Sequence, residues 1–178
     1  MDWYINFVVA NPILSAVIQF AILGTLGETI SKWIVKKRIH SPFSLGIYIW
    51  KMIVWAILAV GIKYAFTGMK GFVDALVEHN LLPKAFEDNI YIRAFGLSFL
   101  TNIQFGLFLV LFHRILDNLV LTRKNWKGLD KAMLSLLWFW IPAHTVTFSL
   151  PKDYQIGLAA LWSVVLGIIL GFFNMRNK

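Results

Sequence analysis

The sequence of 178 residues contains no cysteine, and only 15% of its residues are charged. The absence of cysteine excludes disulfides, thiol catalysis and thiolate metal sites. Soluble domains carry about 25% charged residues, so this chain has too little polar surface to cover a soluble globule. Acidic residues are especially few: 9 Asp and Glu stand against 17 Lys and Arg, which gives a formal net charge of +8.

Apolar side chains dominate what the sequence does contain. Hydrophobic residues make up 58% of it and the mean hydropathy is +0.68, which indicates an integral membrane protein forming one domain over residues 1–178. The membrane is an organelle membrane if the chain is eukaryotic and the cytoplasmic membrane if it is bacterial. The positive charge then reflects topology and contact with the lipid bilayer, and no nucleic-acid partner is expected. The opening MDWYINF lacks basic residues, so we expect no cleaved signal peptide.

Five apolar segments approach the roughly 20 residues that a transmembrane helix needs. They lie at about residues 12–35, 43–66, 90–112, 132–150 and 154–173. The predicted fold class is all-α, a polytopic membrane helical bundle with four or five spans. The number depends on whether the fourth segment, interrupted by Pro142, crosses the membrane or is re-entrant. Residues 71–82 predict one amphipathic helix, either interfacial or packed on the bundle as a lid.

Basic residues predict the orientation of these spans, because cytoplasmic loops are enriched in Lys and Arg. They follow the first, third and fifth segments. The three groups are Lys32, Lys36, Lys37 and Arg38; Arg114, Arg123, Lys124, Lys127 and Lys131; and Arg176 and Lys178. These regions are therefore expected on the inside face, with the N-terminus outside. If the fourth segment is re-entrant, the C-terminus lies on the other face instead.

Two opposite charges are predicted at matching depth inside the membrane. Glu28 lies eight residues before Lys36, and Lys51 lies eight residues after Phe43. Each is therefore about 12 Å from the same face, on helices joined by a short loop. An interhelical ion pair would offset part of the cost of placing either charge there. The alternative is that Lys51 snorkels to the surface while Glu28 pairs with Lys32, four residues on.

Further polar residues lie at membrane depth in the predicted spans. They are Gln19 in the first segment, Asn102 and Gln104 in the third, and His144 in the fourth. Singly, such residues hydrogen-bond between helices. Together with Glu28 and Lys51 they predict a polar path that replaces the hydration of a small solute or ion.

Small residues recur at helical spacing on two of the spans. The first span carries Gly24, Gly27 and Ser31, and the last carries Ser163, Gly167 and Gly171. Such faces allow helices to approach closely, which predicts tight packing within the bundle and leaves a homo-oligomer open.

Enzyme motifs are lacking, since the sequence contains no P-loop, G-x-S-x-G or H-E-x-x-H. His113 and Asp117 have i, i+4 spacing, but two ligands do not make a catalytic metal site. We expect no enzymatic activity, catalytic residue, metal or cofactor.

Two stretches of the sequence resemble the peroxisomal and mitochondrial membrane protein family (the Mpv-seventeen family). NPILSAVIQFAILGTLGETISKWIVKKR resembles the family's first-helix signature, with Gly27-Glu28 at its Gly-Asp position. NWKGLDKAMLSLLWFWIPAHTVTFSLPKDYQIGLAALW resembles its C-terminal block. There Trp140 and Pro142 match Trp-Pro with one inserted residue, and His144 takes the Gln position.

The same block departs from the family pattern after Leu150-Pro151, where Gln155 stands at the position usually held by Arg. The resemblance implies a small multi-span protein, usually drawn with four spans, that is proposed to form channels for small solutes or ions. The sequence therefore predicts a membrane channel or facilitator with a polar path near Glu28 and Lys51. The alternative is a membrane scaffold or oligomerisation protein without transport activity.

Overall fold

The computed structural model describes residues 2–176, with Arg176 described by its backbone only. Lys178 and the side chain of Arg176, which were predicted to orient the C-terminus, therefore lie outside the described part. Within it, every regular element is helical, which confirms the all-α fold class. The helices are α1 Asp2–Ala10, α2 Pro12–Lys36, α3 Leu45–Glu78, α4 Ala85–Asp88, α5 Ile90–Thr101, α6 Leu107–Leu119, α7 Leu129–Ser135, α8 Ile141–Ser149 and α9 Lys152–Arg176.

The chain divides into two compact units. One comprises Met1–Val60 and Ile156–Lys178, here called the terminal unit, and the other comprises Gly61–Gln155, here called the central unit. Helices α3 and α9 each run from one unit into the other. The prediction of a single domain over residues 1–178 stays a prediction.

Among residues 2–176, five helical stretches are long and apolar enough to cross a membrane. They are Pro12–Lys36, Leu45–Glu78, Ile90–Leu119, Leu129–Ser149 and Lys152–Met175. Large apolar side chains remain exposed on them, such as Phe95, Phe108 and Leu161. Soluble proteins rarely expose such continuous apolar surface, so these helices indicate an integral membrane protein in contact with the lipid bilayer. The fourth stretch has the length of a full span, which favours five spans over four.

Helix α2 begins and ends where its sequence dictates. Pro12 occupies the first turn, where its missing N–H costs no helical hydrogen bond. At the other end Lys37 adopts the left-handed conformation, with φ of 53°. The backbone N–H groups of Lys37 and Arg38 then donate to carbonyls of the last turn, at 3.2 and 3.3 Å. This is a common helix C-cap, and it turns the chain toward α3.

Helix α3 differs from the expectation for residues 71–82. That segment is not a separate helix, because α3 continues without interruption for 34 residues to Glu78. The chain carries no helix-stopping signal before Asn80, which has a φ of 58°. Val73 and Val77 are buried, so the apolar face of the segment packs within the chain, as the lid alternative requires.

The third and fourth spans each contain a π-helical segment, Asn102–Gly106 between α5 and α6 and Leu136–Trp140 between α7 and α8. Pro142 lies in the first turn of α8, directly after the second segment. Proline cannot donate to a preceding carbonyl, and the wider π turn lets the helix continue through this position. Helices α5 and α8 pack along each other within the central unit, which brings the two segments together.

Candidate functional site

The charged group of the terminal unit is formed by α2 and α3. The ammonium of Lys51 donates to Glu28 Oε2, and the indole Nε1 of Trp55 donates to Glu28 Oε1 over 2.9 Å. Lys51 and Trp55 are four residues apart, so both project from one face of α3 toward α2. The interhelical pair expected from the depth of the two charges is present, and both carboxylate oxygens have donors.

Aromatic rings complete the surroundings of this ion pair. The Lys51 ammonium lies 5.2 Å from the centre of the Phe43 ring, within the range of a cation–π contact. The Trp55 ring stacks on Phe20, with centroids 6.2 Å apart and planes inclined by 17°. A Cβ at Gly24 would collide with the Trp55 ring, so the glycine makes room for the indole that binds Glu28.

The two charges of the pair differ in exposure. The Lys51 side chain is 11% exposed and the Glu28 side chain is 25% exposed. The carboxylate is therefore the more accessible charge, although it also has two fixed donors.

Gln19 has a different environment from Glu28 on the same helix. Its Oε1 accepts from the Tyr4 hydroxyl over 3.0 Å, and its Nε2 donates to the Ser15 carbonyl over 3.0 Å. A Cβ at Gly157 of α9 would meet the same Tyr4 and Gln19 atoms. The Gln19 amide therefore connects α1 to α2 beside α9.

The predicted small-residue faces meet each other within the terminal unit. A Cβ at Gly27 would lie 2.5 Å from the Ser163 carbonyl oxygen, and one at Gly167 would collide with the Gly27 carbonyl. One at Gly171 would lie 3.2 Å from Ser31 Cα. Helices α2 and α9 thus approach backbone to backbone, which only small residues permit.

The central unit holds a second polar group, formed by α5, the first π-helical segment and α8. Asn102 Nδ2 donates to the Ser98 carbonyl over 2.8 Å and lies 3.2 Å from His144 Nδ1. The Ser98 hydroxyl donates to the Ile141 carbonyl over 2.7 Å, and the Thr145 hydroxyl donates to the same oxygen over 2.7 Å. All these contacts join neutral groups, so the amide, imidazole and hydroxyls share hydrogen bonds without a net charge.

Aromatic rings surround the imidazole of His144. The centroids of Trp140 and Phe66 lie 5.0 and 5.2 Å from it, and that of Phe148 lies 6.1 Å away. The only polar contact of His144 with the described residues is the one with Asn102. This environment favours a neutral ring that accepts a hydrogen bond.

Gln104 does not join this group, although it was predicted beside Asn102. It is exposed and forms no hydrogen bond with any residue in the described range 2–176. Two residues along a helix turn the side chain to nearly the opposite face, so Asn102 points inward and Gln104 outward. His113 Nε2 and Asp117 Oδ2 lie 3.6 Å apart on α6.

Three parts of these sites were not predicted from the sequence: Trp55, Phe43 and Ser98. The spacing of Trp55 from Lys51 was a usable signal, because residues four apart share a helix face. Ser98 has the same spacing from Asn102. Phe43 lies in the loop before α3, where no periodicity indicates its direction.

Comparisons of this chain with protein-family models, with curated proteins and with solved structures find no match. The geometry of the two polar groups is therefore the main basis for a functional proposal.

Proposed function

We propose that this protein is a membrane channel or facilitator for small solutes or ions. The observation that carries the proposal is the Glu28–Lys51 pair, two full charges between apolar helices of a membrane protein. Each charge at the centre of a bilayer costs roughly 3 kcal/mol or more, and such residues typically mark solute or ion pathways. A bundle that needed only stability would place apolar side chains at these positions.

The unequal exposure of the pair gives the proposal a direction. Because the carboxylate of Glu28 is more exposed than the ammonium of Lys51, a solute passing on that side meets negative charge first. Lining charges set the selectivity of narrow pores. We therefore expect cations, or neutral solutes with hydrogen-bond donors, to pass more readily than anions.

The resemblance of the first and fourth spans to the peroxisomal and mitochondrial membrane protein family supports the same proposal. That family is proposed to form channels for small solutes or ions. The expected membrane stays an organelle membrane if the chain is eukaryotic and the cytoplasmic membrane if it is bacterial. The proposal assigns no catalytic residue and no cofactor.

The scaffold alternative depends on small-residue faces that are available to another chain. The faces of α2 and α9 are occupied by each other through Gly27, Ser163 and Gly167. The described contacts therefore favour the channel over a scaffold built on these surfaces.

Flux measurements in liposomes test the proposal. Purified protein is reconstituted, and the reversal potential is measured in a gradient of potassium chloride, together with the uptake of small neutral solutes. We expect a cation preference that disappears in the double variant Glu28→Gln/Lys51→Met, which removes both charges together. Glu78→Gln is the matched control, because this exposed carboxylate lies at the end of α3. Well-folded protein that passes neither ions nor solutes would refute the channel.

A further inference from the structure

Four basic side chains come together in the central unit, where α3 leaves its apolar stretch and where α5 and α9 begin. Lys63 and Lys70 lie seven residues apart on one face of α3. Arg93 lies in the first turn of α5, and Lys152 is the first residue of α9. Arg93 pairs with Asp74, four residues after Lys70 on α3, and Lys152 lies three residues before Gln155, whose Oε1 accepts from Lys70. The charges of Lys63, Arg93 and Lys152 act on the Lys70 ammonium. These four residues are called the basic cluster below.

Lys70 is held in the cluster by a hydrogen bond to a neutral side chain. It is half-buried, and its Nζ donates to Gln155 Oε1 over 2.7 Å. Gln155 is buried and is fixed by its own donation to the Leu150 carbonyl over 2.8 Å. Within residues 2–176, the hydrogen-bond acceptor of Lys70 is thus a neutral amide, and no carboxylate forms an ion pair with it.

Carboxylates form ion pairs with only part of the basic cluster. Asp74 forms an ion pair with Arg93, whose guanidinium donates to it over 2.6 Å. Asp153 is the one acidic group whose charge acts on Lys70. Among the described residues, Arg93 is the only member of the basic cluster that forms an ion pair with a carboxylate. A partly buried ammonium without a counter-charge is unfavourable, and an anion bound between these side chains would offset that cost.

The position of the basic cluster along the bilayer normal matches that of a lipid headgroup. Helix α3 has 34 residues and is about 51 Å long, whereas the hydrocarbon core of a bilayer is about 30 Å thick. The stretch between Lys51 and Lys63 contains no charge. The end of α3 from Lys63 onward therefore reaches the level of the phosphates.

We propose that the basic cluster binds a phosphate-bearing anion, either the headgroup of an anionic phospholipid or free phosphate. Lysine ammonium groups act as point charges toward phosphate, and arginine adds directed donors in a plane. The neutral Gln155 holds Lys70 in place without competing for its charge. Binding at this site is measured without transport, so its test does not depend on whether the protein is a channel.

Two binding measurements on the purified full-length protein test the site. In the first, native mass spectrometry counts the lipids retained from mixed vesicles of phosphatidylglycerol and phosphatidylcholine. In the second, calorimetry follows titration with inorganic phosphate in a neutral detergent. Lys70→Gln should weaken binding about fivefold in at least one arm, which is the effect of one lysine near an anionic surface. Lys84→Gln, which removes an exposed lysine outside the cluster, should leave both arms unchanged.

The two arms separate the sources of the anion. Loss of lipid retention alone would identify a headgroup, and loss of phosphate binding alone would identify a soluble anion. Equal binding by the Lys70→Gln and Lys84→Gln proteins in both arms would overturn the site. If Lys70→Gln does not fold, Lys63→Gln and Lys152→Gln serve instead, with the same expected loss. Circular dichroism confirms that every variant remains helical.

Discussion

Glu28 and Lys51 of the terminal unit meet as full charges, whereas Asn102 and His144 of the central unit meet as neutral groups. The helices around the two groups differ as well. The charged pair joins two regular α-helices, while the neutral group lies where both participating spans contain a π-helical segment.

This difference illustrates two ways of placing polar side chains between apolar helices. Long charged side chains such as Glu28 and Lys51 reach each other across an undistorted interface. The short side chains of Ser98 and Asn102 reach only about one turn, so their partners must be brought close by the path of the backbone. The first arrangement depends on charge balance and the second on local backbone geometry. The two should respond differently to substitution.

The largest effect should come from breaking the charged pair. Glu28→Gln or Lys51→Met alone leaves one charge without the other, which costs about 3–5 kcal/mol when the remaining charge is fully buried. The double variant should recover part of that loss, because no charge remains. Reversible unfolding of the four proteins in mixed micelles gives the double-mutant cycle. Strictly additive losses would mean that the two side chains do not stabilise each other.

Close packing in the terminal unit should rank next. Gly167→Ala places a methyl group against the Gly27 carbonyl, and overpacking of this kind costs about 1–3 kcal/mol. Gly68→Ala is the matched control on α3 of the central unit, where a Cβ meets nothing within 4 Å. Since alanine favours helix over glycine by about 1 kcal/mol, the control should be neutral or more stable. The same unfolding assay measures both, and equal stability of the two variants would contradict backbone contact between α2 and α9.

The neutral group of the central unit should give the smallest of the three effects. Asn102→Ala removes the donor to the Ser98 carbonyl and to His144, at a cost of about 1–2 kcal/mol. Gln104→Ala, two residues away and exposed, should change stability by less than about 0.5 kcal/mol. An Asn102→Ala protein that loses as much stability as Glu28→Gln would show that the neutral group contributes as much to the free energy of unfolding as the charged pair.

The spans and the charged pair were predictable from the sequence because they follow from the thickness of the bilayer and the rise of a helix. A bilayer sets the number of apolar residues in a span, and the helical rise sets the depth of Glu28 and Lys51. The helix of the second span continues beyond residue 66, where the span was predicted to end. The polar residues from Lys63 onward suggested an end to the span, but α3 extends to Glu78 because nothing there stops a helix.

The π-helical segments and the Lys70–Gln155 contact could not be predicted in the same way. A π turn has no distinctive composition in residues 102–106 or 136–140, and it forms where packing between helices requires an extra residue. Lys70 and Gln155 are 85 positions apart, so no periodicity relates them. Both features depend on how distant parts of the chain meet.

The π-helical segments also determine how the chain tolerates a change in length. A π turn contains one residue more than an α turn, so each segment holds a residue that an uninterrupted helix would not need. Deleting one residue from Asn102–Gly106 would allow a continuous α-helix and would leave α6 facing nearly the same neighbours, because the wide turn already absorbs the extra residue. The same deletion in a regular α-helix would rotate everything that follows by about 100°. Sequences that share this architecture should therefore tolerate the loss of one residue within each segment better than a loss elsewhere in the spans.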